Sequence, residues 1–249
     1  MFLLLFFINF LSAQTDAIVG TQARTFPMVG GEVFSEVGHG LQLWGPKVLP
    51  ERPSPFYGFI RPSLGIASSA VINSFKGEID FFPVSFFGVT GGYSQVYSDF
   101  DFPFFDCTKI HCRGRTEKRY IEGKLALAHK GYVFLSTYKR DKMQFSRNDL
   151  PFGDFRRVIA GENGRDEQEE LRVVLGKKDA KRMLGIVTEW IRFRLSGEQA
   201  HSTFFLVQRN KVESNLMLGA GVFSSDRMGM GPVIYLRYSF ILLPSIKIL

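Results

Sequence analysis

Apolar and polar side chains alternate one by one along most of this chain. In residues 86–98, Phe87, Val89, Tyr93 and Tyr97 share one face, and Gly88, Thr90, Gly92, Ser94 and Ser98 share the other. A period of two is that of a β-strand, whose successive side chains point to opposite faces. The same pattern sets Phe56, Ile60, Leu64 and Ile66 against Tyr57, Arg61, Ser63 and Ser69. It sets Phe75, Ile79 and Phe81 against Ser74, Lys76, Glu78 and Asp80, and Ile121, Leu125 and Leu127 against Glu122, Lys124 and Ala126. Near the C-terminus, Ile234, Leu236, Tyr238 and Phe240 oppose Tyr235, Arg237 and Ser239. Noisier alternation runs through 31–45, 131–143, 168–178, 183–196, 199–210 and 214–224. Each segment matches the roughly 9–11 residues that a tilted strand needs to cross a bilayer's hydrocarbon.

A soluble β-sandwich and a membrane β-barrel both alternate in this way, and three features favour the barrel. Charges sit inside the alternation, where a wet lumen tolerates them and a dry sandwich core does not. Aromatics crowd the strand ends, at Phe56-Tyr57, Phe81-Phe82, Phe86-Phe87 and Tyr238 with Phe240, as an interfacial girdle requires. An apolar leader opens the chain. Loop lengths agree: the long connections 99–115 and 144–167 are separated by two strands and so emerge on one side. The short turns at Pro83-Val84, Lys130-Gly131, Asp179 to Arg182 and Lys211 to Glu213 fall on the other side, the periplasmic one, as does the Pro-rich link 46–55. Strand 31–45 then runs inward and needs a partner before it, for which Ala17 to Met28 is the candidate. The expectation is an all-β, up-and-down antiparallel barrel of about twelve strands spanning 14–249, with ten strands as the alternative.

Composition narrows the setting. The chain has 249 residues, 45% of them hydrophobic, including 26 Phe, and 25 Gly. Mean hydropathy is +0.01, and the one long apolar run, Phe2 to Leu11, falls short of the roughly 20 residues of a spanning helix. Residues 1–13 resemble a secretory signal peptide, with an apolar core from Phe2 to Ile8, small residues Ser12 and Ala13, and cleavage expected after Ala13. The formal charge of +7 suits anionic lipid or anionic solutes; without a clustered nucleic-acid motif, nucleic acid is excluded. The leader, the alternating strands and the closing strand Gly231 to Phe240 together resemble those of bacterial outer-membrane β-barrel proteins as a broad class. That resemblance implies a Gram-negative outer membrane, contact with its lipid and lipopolysaccharide, and insertion by the barrel-assembly machinery. No cofactor is expected.

Candidate chemistry is sparse. Inward charges at Lys76, Glu78, Asp80, Glu122, Lys124, Glu189, Arg192, Arg194 and Arg237 would line the lumen and set the selectivity of a narrow channel for small polar or anionic solutes. Cys107 and Cys112, in a long loop of an exported chain, are expected to form a local disulfide; a metal site using them with His111 fits no zinc spacing. Asp99 to Asp106 carries four phenylalanines, which fold inward to constrict the mouth, extend the wall, or pack on a partner or a lipid surface. Arg113, Arg115, Lys118 and Arg119 cluster at an outer strand end and suit either lipid-phosphate contact or a solvated rim. The acid-rich run Glu162 to Glu170 reads as a solvated loop. A closed structural or surface-binding barrel is the second functional reading. A lipid hydrolase is third, because His201 and Ser202 are adjacent, face opposite ways and cannot pair.

Overall fold

A computed structural model describes residues 13–26, 30–45, 56–147, 149–154, 157–179, 182–211 and 213–243. The expected leader, apart from Ala13, and the link 46–55 lie outside these residues. Twelve antiparallel strands close into one barrel. In chain order they are β1 (Ala13–Arg24), β2 (Gly30–Trp44), β3 (Gly58–Ser68), β4 (Ile72–Val84), β5 (Phe87–Ser98), β6 (Gly114–His129) and β7 (Tyr132–Phe145). After two short strands, β8 (Phe152–Asp154) and β9 (Ile159–Gly161), the wall resumes with β10 (Arg165–Lys178), β11 (Arg182–Phe193), β12 (Gln199–Asn210), β13 (Ser214–Ser225) and β14 (Gly229–Leu243). β8 and β9 pair with each other and are not part of the wall. The first and last strands seal the barrel, with Val19 opposite Phe240 and Arg24 opposite Tyr235. Closure leaves no unpaired edge, which is what lets a sheet sit in lipid.

Twelve strands, rather than ten, follow from β1. It runs from Ala13 to Arg24 instead of 17–28, because Asp16 belongs to the wall and points inward to Arg61. The short turns explain themselves locally. His129 pairs with Tyr132 across Lys130 and Gly131, both with positive φ (47° and 84°), the backbone of a two-residue hairpin that matches strand twist. β11 stops at Phe193, short of 196, because Gly197 (φ 77°) turns the chain.

The apolar face of every wall strand points outward. Val33, Val37, Leu64, Ile66, Ile79, Ile121, Leu127, Leu175, Leu184, Phe205 and Ile234 are all exposed on the barrel's outer surface. A continuous apolar belt this large is stable only when lipid covers it. Toward the short-turn rim the belt ends in Trp44, Phe56, Phe87, Tyr132 and Phe240. There the Trp44 indole donates to Pro83 O at 3.0 Å and packs edge-on to Phe81. Toward the long-loop rim it ends in Tyr97, Tyr138 and Trp190. The protein is a transmembrane barrel.

The run 162–170 is not a solvated loop. Arg165–Lys178 is β10, and its acids divide by parity: Asp166 and Glu170 point inward and are buried, while Glu167 and Glu169 point outward. Alternating acids thus serve both faces of one strand.

Candidate functional site

The inward faces of nine strands build one polar belt across the lumen. Its first centre is Arg61 on β3. The guanidinium donates to Asp16 on β1 (2.5 and 2.8 Å), to Glu36 on β2 (2.9 Å) and to Asp80 on β4 (3.4 Å). Lys76 bridges Glu36 and Glu78 at 2.7 and 2.8 Å, and Lys124 on β6 reaches Asp80 at 2.9 Å. The buried Thr90 hydroxyl donates to Asp80 Oδ1, the oxygen that Lys124 also reaches. The second centre is Arg172 on β10, which donates to Glu189 on β11 (2.6 Å) and Glu170 (3.3 Å). Tyr120 extends the first centre toward the second: its hydroxyl donates to Glu78 at 2.6 Å, and over its ring, at 4.0 Å, sits Lys139 on β7, which pairs with Asp141 and stands opposite Glu170 in the ladder. Charges in such a belt are held by several opposite partners each, which offsets the cost of partial burial.

Of the sequence-predicted lumen charges, Lys76, Glu78, Asp80, Glu122, Lys124, Glu189 and Arg237 stand on inward faces. Arg192 and Arg194 do not. Glu189, Ile191 and Phe193 point inward, so strand parity turns Arg192 outward; Arg194, just past the strand, pairs with Glu167 and Glu169 on the outer rim. Arg237 stacks over Phe34 at 4.5 Å, on a wall sector β12–β14 that brings no carboxylate to the belt. Arg61, Asp16, Glu36, Tyr120, Lys139, Asp141, Glu170 and Arg172 were not singled out from sequence. Tyr120 shares parity with Glu122 and Lys124, a signal that was available; Asp16 lay ahead of the expected first strand.

The outer mouth is filled by the protein itself. The β8–β9 hairpin folds into the barrel, where Phe152 and Ile159 are fully buried against Phe145, Ile191, Phe193, Phe223 and Val233 of the wall. Polar contacts hold it. Arg157 reaches Glu170 at 2.5 Å, Lys118 reaches Asp154 at 3.3 Å, and the Ala160 amide donates to Glu198 at 2.7 Å. Glu198 is itself clamped by Arg227. The 99–113 loop lies over the hairpin as a cap: Phe102, Phe105, Ile110 and Cys112 bury against Val158 and Ala160. The constriction therefore comes from β8 and β9, and the phenylalanine loop covers them. Cys107 and Cys112 are joined in a disulfide with Cα atoms 5.5 Å apart, so neither sulfur is a free thiolate for a metal. His111 tethers cap to hairpin. Its amide donates to Pro151 O at 2.7 Å, its ring stacks on Phe145, and its Nε2 meets Asp149 at 2.8 Å. That bond holds the Asp149 carboxyl below its ordinary value of 3.8.

The predicted lipid-contact cluster divides. Arg113 is exposed and bonded to Asp101 (2.6 Å), Arg115 pairs with Glu117 on the outer face, and Arg119 faces outward. Lys118 has the opposite parity and points into the barrel, onto Asp154, so it cannot meet lipid. Among the described residues no catalytic triad converges. His39 faces outward to Thr15, His201 is exposed near Thr203, and Ser202 is buried on the inner face.

At the short-turn end the inward side chains turn apolar. Tyr57, Phe59 and Phe82 are buried together, with Phe59 and Phe82 stacked at 4.7 Å. Across from them, Val174, Met183, Val187 and Leu206 form an inward apolar cluster.

This geometry defines the class: an outer-membrane-type β-barrel with a charged lumen and a mouth closed by its own loops. No protein-family model matches the chain, and no curated relative matches its sequence. Solved structures of similar form include the β domain of the Bordetella autotransporter BrkA, at 10% identity and TM-score 0.47, covering 92% of this chain and 98% of that one. The NanC porin matches at 11% identity and TM-score 0.47, covering 90% and 98%. An outer-membrane channel of Pseudomonas putida F1 matches at 11% identity and TM-score 0.46, covering 93% and 96%.

Proposed function

We propose that the protein is a narrow outer-membrane channel for small polar solutes, closed at its outer mouth by the β8–β9 hairpin. The observation that carries this reading is Arg172: its side chain faces the lumen yet is 48% exposed. Lys76, also inward, is 38% exposed. Charged groups this accessible inside a barrel need water around them, and a hydrated interior is a route for polar solutes once the mouth opens. Paired charges of both signs along the wall favour weak selectivity. Arg237, which has no ion-pair partner among the described residues, adds a modest bias toward anions.

The test is conductance of the refolded protein in a planar bilayer, for the wild type and a variant lacking residues 149–161. Small or rare steps in the wild type and larger, frequent steps in the deletion variant support a plugged channel. A folded deletion variant that stays silent overturns it. That silence would favour the second reading, a closed barrel acting through its outer loops, which the buried Phe152 and Ile159 support.

A further inference from the structure

The outward faces of β6, β7, β10 and β11 change character abruptly toward the long-loop rim. Leu171 lies opposite Tyr138 on one side and Trp190 on the other; these three, continued by Gly123 on β6, make the last rung without a charge, and Ile121 stands beside Arg140 in the next. One rung further out, Glu169 lies between Arg140 and Arg192; beyond that, Lys142 lies between Arg119 and Glu167. On the other eight wall strands the outward positions at this level carry no Lys or Arg among the described residues. The outward residues of those strands toward this rim include Val33, Ile66, Phe75, Gln95, His201 and Ser224. The cations are gathered on one third of the circumference.

The carboxylates do not neutralise them. Glu167 is taken by Arg140 at 2.5 Å and Arg194 at 3.1 Å, and Glu169 lies 3.6 Å from Arg194. Arg119, Lys142 and Arg192 are exposed and have no ion-pair partner among the described residues. Arg119 and Lys142 are also direct cross-strand partners. Like charges placed opposite each other repel and weaken a ladder. An anion seated between them removes that repulsion, and a phosphate accepts from a guanidinium through two parallel hydrogen bonds. The position selects the source. The group lies on the lipid side of the wall, immediately above Tyr138 and Trp190, the residues that mark the headgroup boundary.

We propose that Arg119 and Lys142, flanked by Arg140 and Arg192, bind the phosphate groups of an outer-leaflet glycolipid. The site depends on the barrel lying in a membrane with its long loops outward, and not on channel activity.

Flotation of the refolded protein with lipid vesicles first establishes membrane insertion; failure there removes the membrane reading rather than the site alone. Native mass spectrometry of the folded barrel in detergent then compares diphosphoryl lipid A with its dephosphorylated form. The expected result is retention of the diphosphoryl lipid, weakened by about tenfold in R119A/K142A and preserved within about threefold in R119K/K142R. K177A/R182A, on the opposite rim, should leave it unchanged. Equal retention of the dephosphorylated lipid, or no loss in R119A/K142A, overturns the proposal. So does displacement of the lipid by millimolar inorganic phosphate, which would mark a free-anion site. A loss in R119A/K142A that tracks dissociation of dimers without lipid dependence marks an interface between copies, and also overturns it. If R119A/K142A does not give a heat-modifiable folded band, Lys142→Ala and Arg192→Ala are measured singly, each expected to weaken binding about threefold.

Discussion

Arg157, on the hairpin inside the mouth, lies 2.5 Å from Glu170 of wall strand β10, and both side chains are mostly buried. Glu170 in turn touches Arg172 of the lumen belt. The hairpin and the lumen belt thus share a carboxylate, so freeing the hairpin also alters the charge balance of the belt.

Glu170→Gln should loosen the hairpin. Exposed ion pairs are worth under about 1 kcal/mol, while breaking a fully buried one costs about 3–5 kcal/mol. Arg157 keeps Asp154 as a partner at 3.5 Å, so a docking penalty of about 2 kcal/mol is expected. Open-channel steps in a bilayer should become roughly thirtyfold more frequent. The barrel itself should melt within a few degrees of wild type. Gating unchanged in E170Q would mean that the Arg157–Glu170 pair does not hold the hairpin, leaving Phe152, Ile159 and the contacts of Asp154 and Ala160 to do so.

Arg172 should tune ion preference. A unit charge about 7 Å from a passing ion contributes about 0.6 kcal/mol in a water-like medium, and reversing its sign doubles that. Arg172→Glu in the plug-deleted background should therefore shift reversal potentials toward cations, with a several-fold change in permeability ratio. Glu189→Lys should shift them the other way. Arg192→Glu, on the outward face, should leave the ratio where it was, which separates lumen position from net charge.

Most of the fold was legible because a barrel wall repeats one rule: lipid outside, water inside, period two. Phe75-Lys76, Ile79-Asp80 and Ile121-Glu122 state that rule without help from the rest of the chain. Arg192 and Arg194 were misplaced because a run of cations at a strand end looks alike on either face; parity counted from Glu189 resolves them. The hairpin was invisible. Phe152 and Ile159 are ordinary loop residues by spacing, and only the hollow they fill gives them a role. The belt centred on Arg61 was half visible, since its partners lie on β1, β2 and β4, and sequence cannot say which inward charges meet across a lumen.

The disulfide should matter locally. Its sequence separation is 5, and closing so small a loop restricts the open state by about 2 kcal/mol in the chain-entropy account. Cys107→Ser with Cys112→Ser should leave the barrel's melting unchanged. It should speed proteolysis within 99–113 by about an order of magnitude, because Phe102 and Phe105 lose the staple that holds them over Val158. A large drop in global melting would show that the cap helps hold the wall together.

Acid should release the cap from the hairpin in a way that Asp149 reports. Its carboxylate is bonded to the His111 ring, which favours the ionised form and sets its folded value below 3.8. A group depressed in this way stabilises fully above its unfolded value and loses that contribution as pH falls through the folded one. The cap should therefore stay closed at neutral pH and loosen below the ordinary carboxylate range. Protease sensitivity of the 146–164 segment, followed with an acid-active protease from pH 5 downward, should rise below about pH 4 in the wild type. Asp149→Asn, which keeps the size and loses the charge, should be more sensitive than wild type at pH 5 and should converge on it at the acid end. Parallel curves for the two proteins would assign the acid response to Asp154 or Glu170 deeper in the mouth, and would leave the His111–Asp149 contact without a part in closing it.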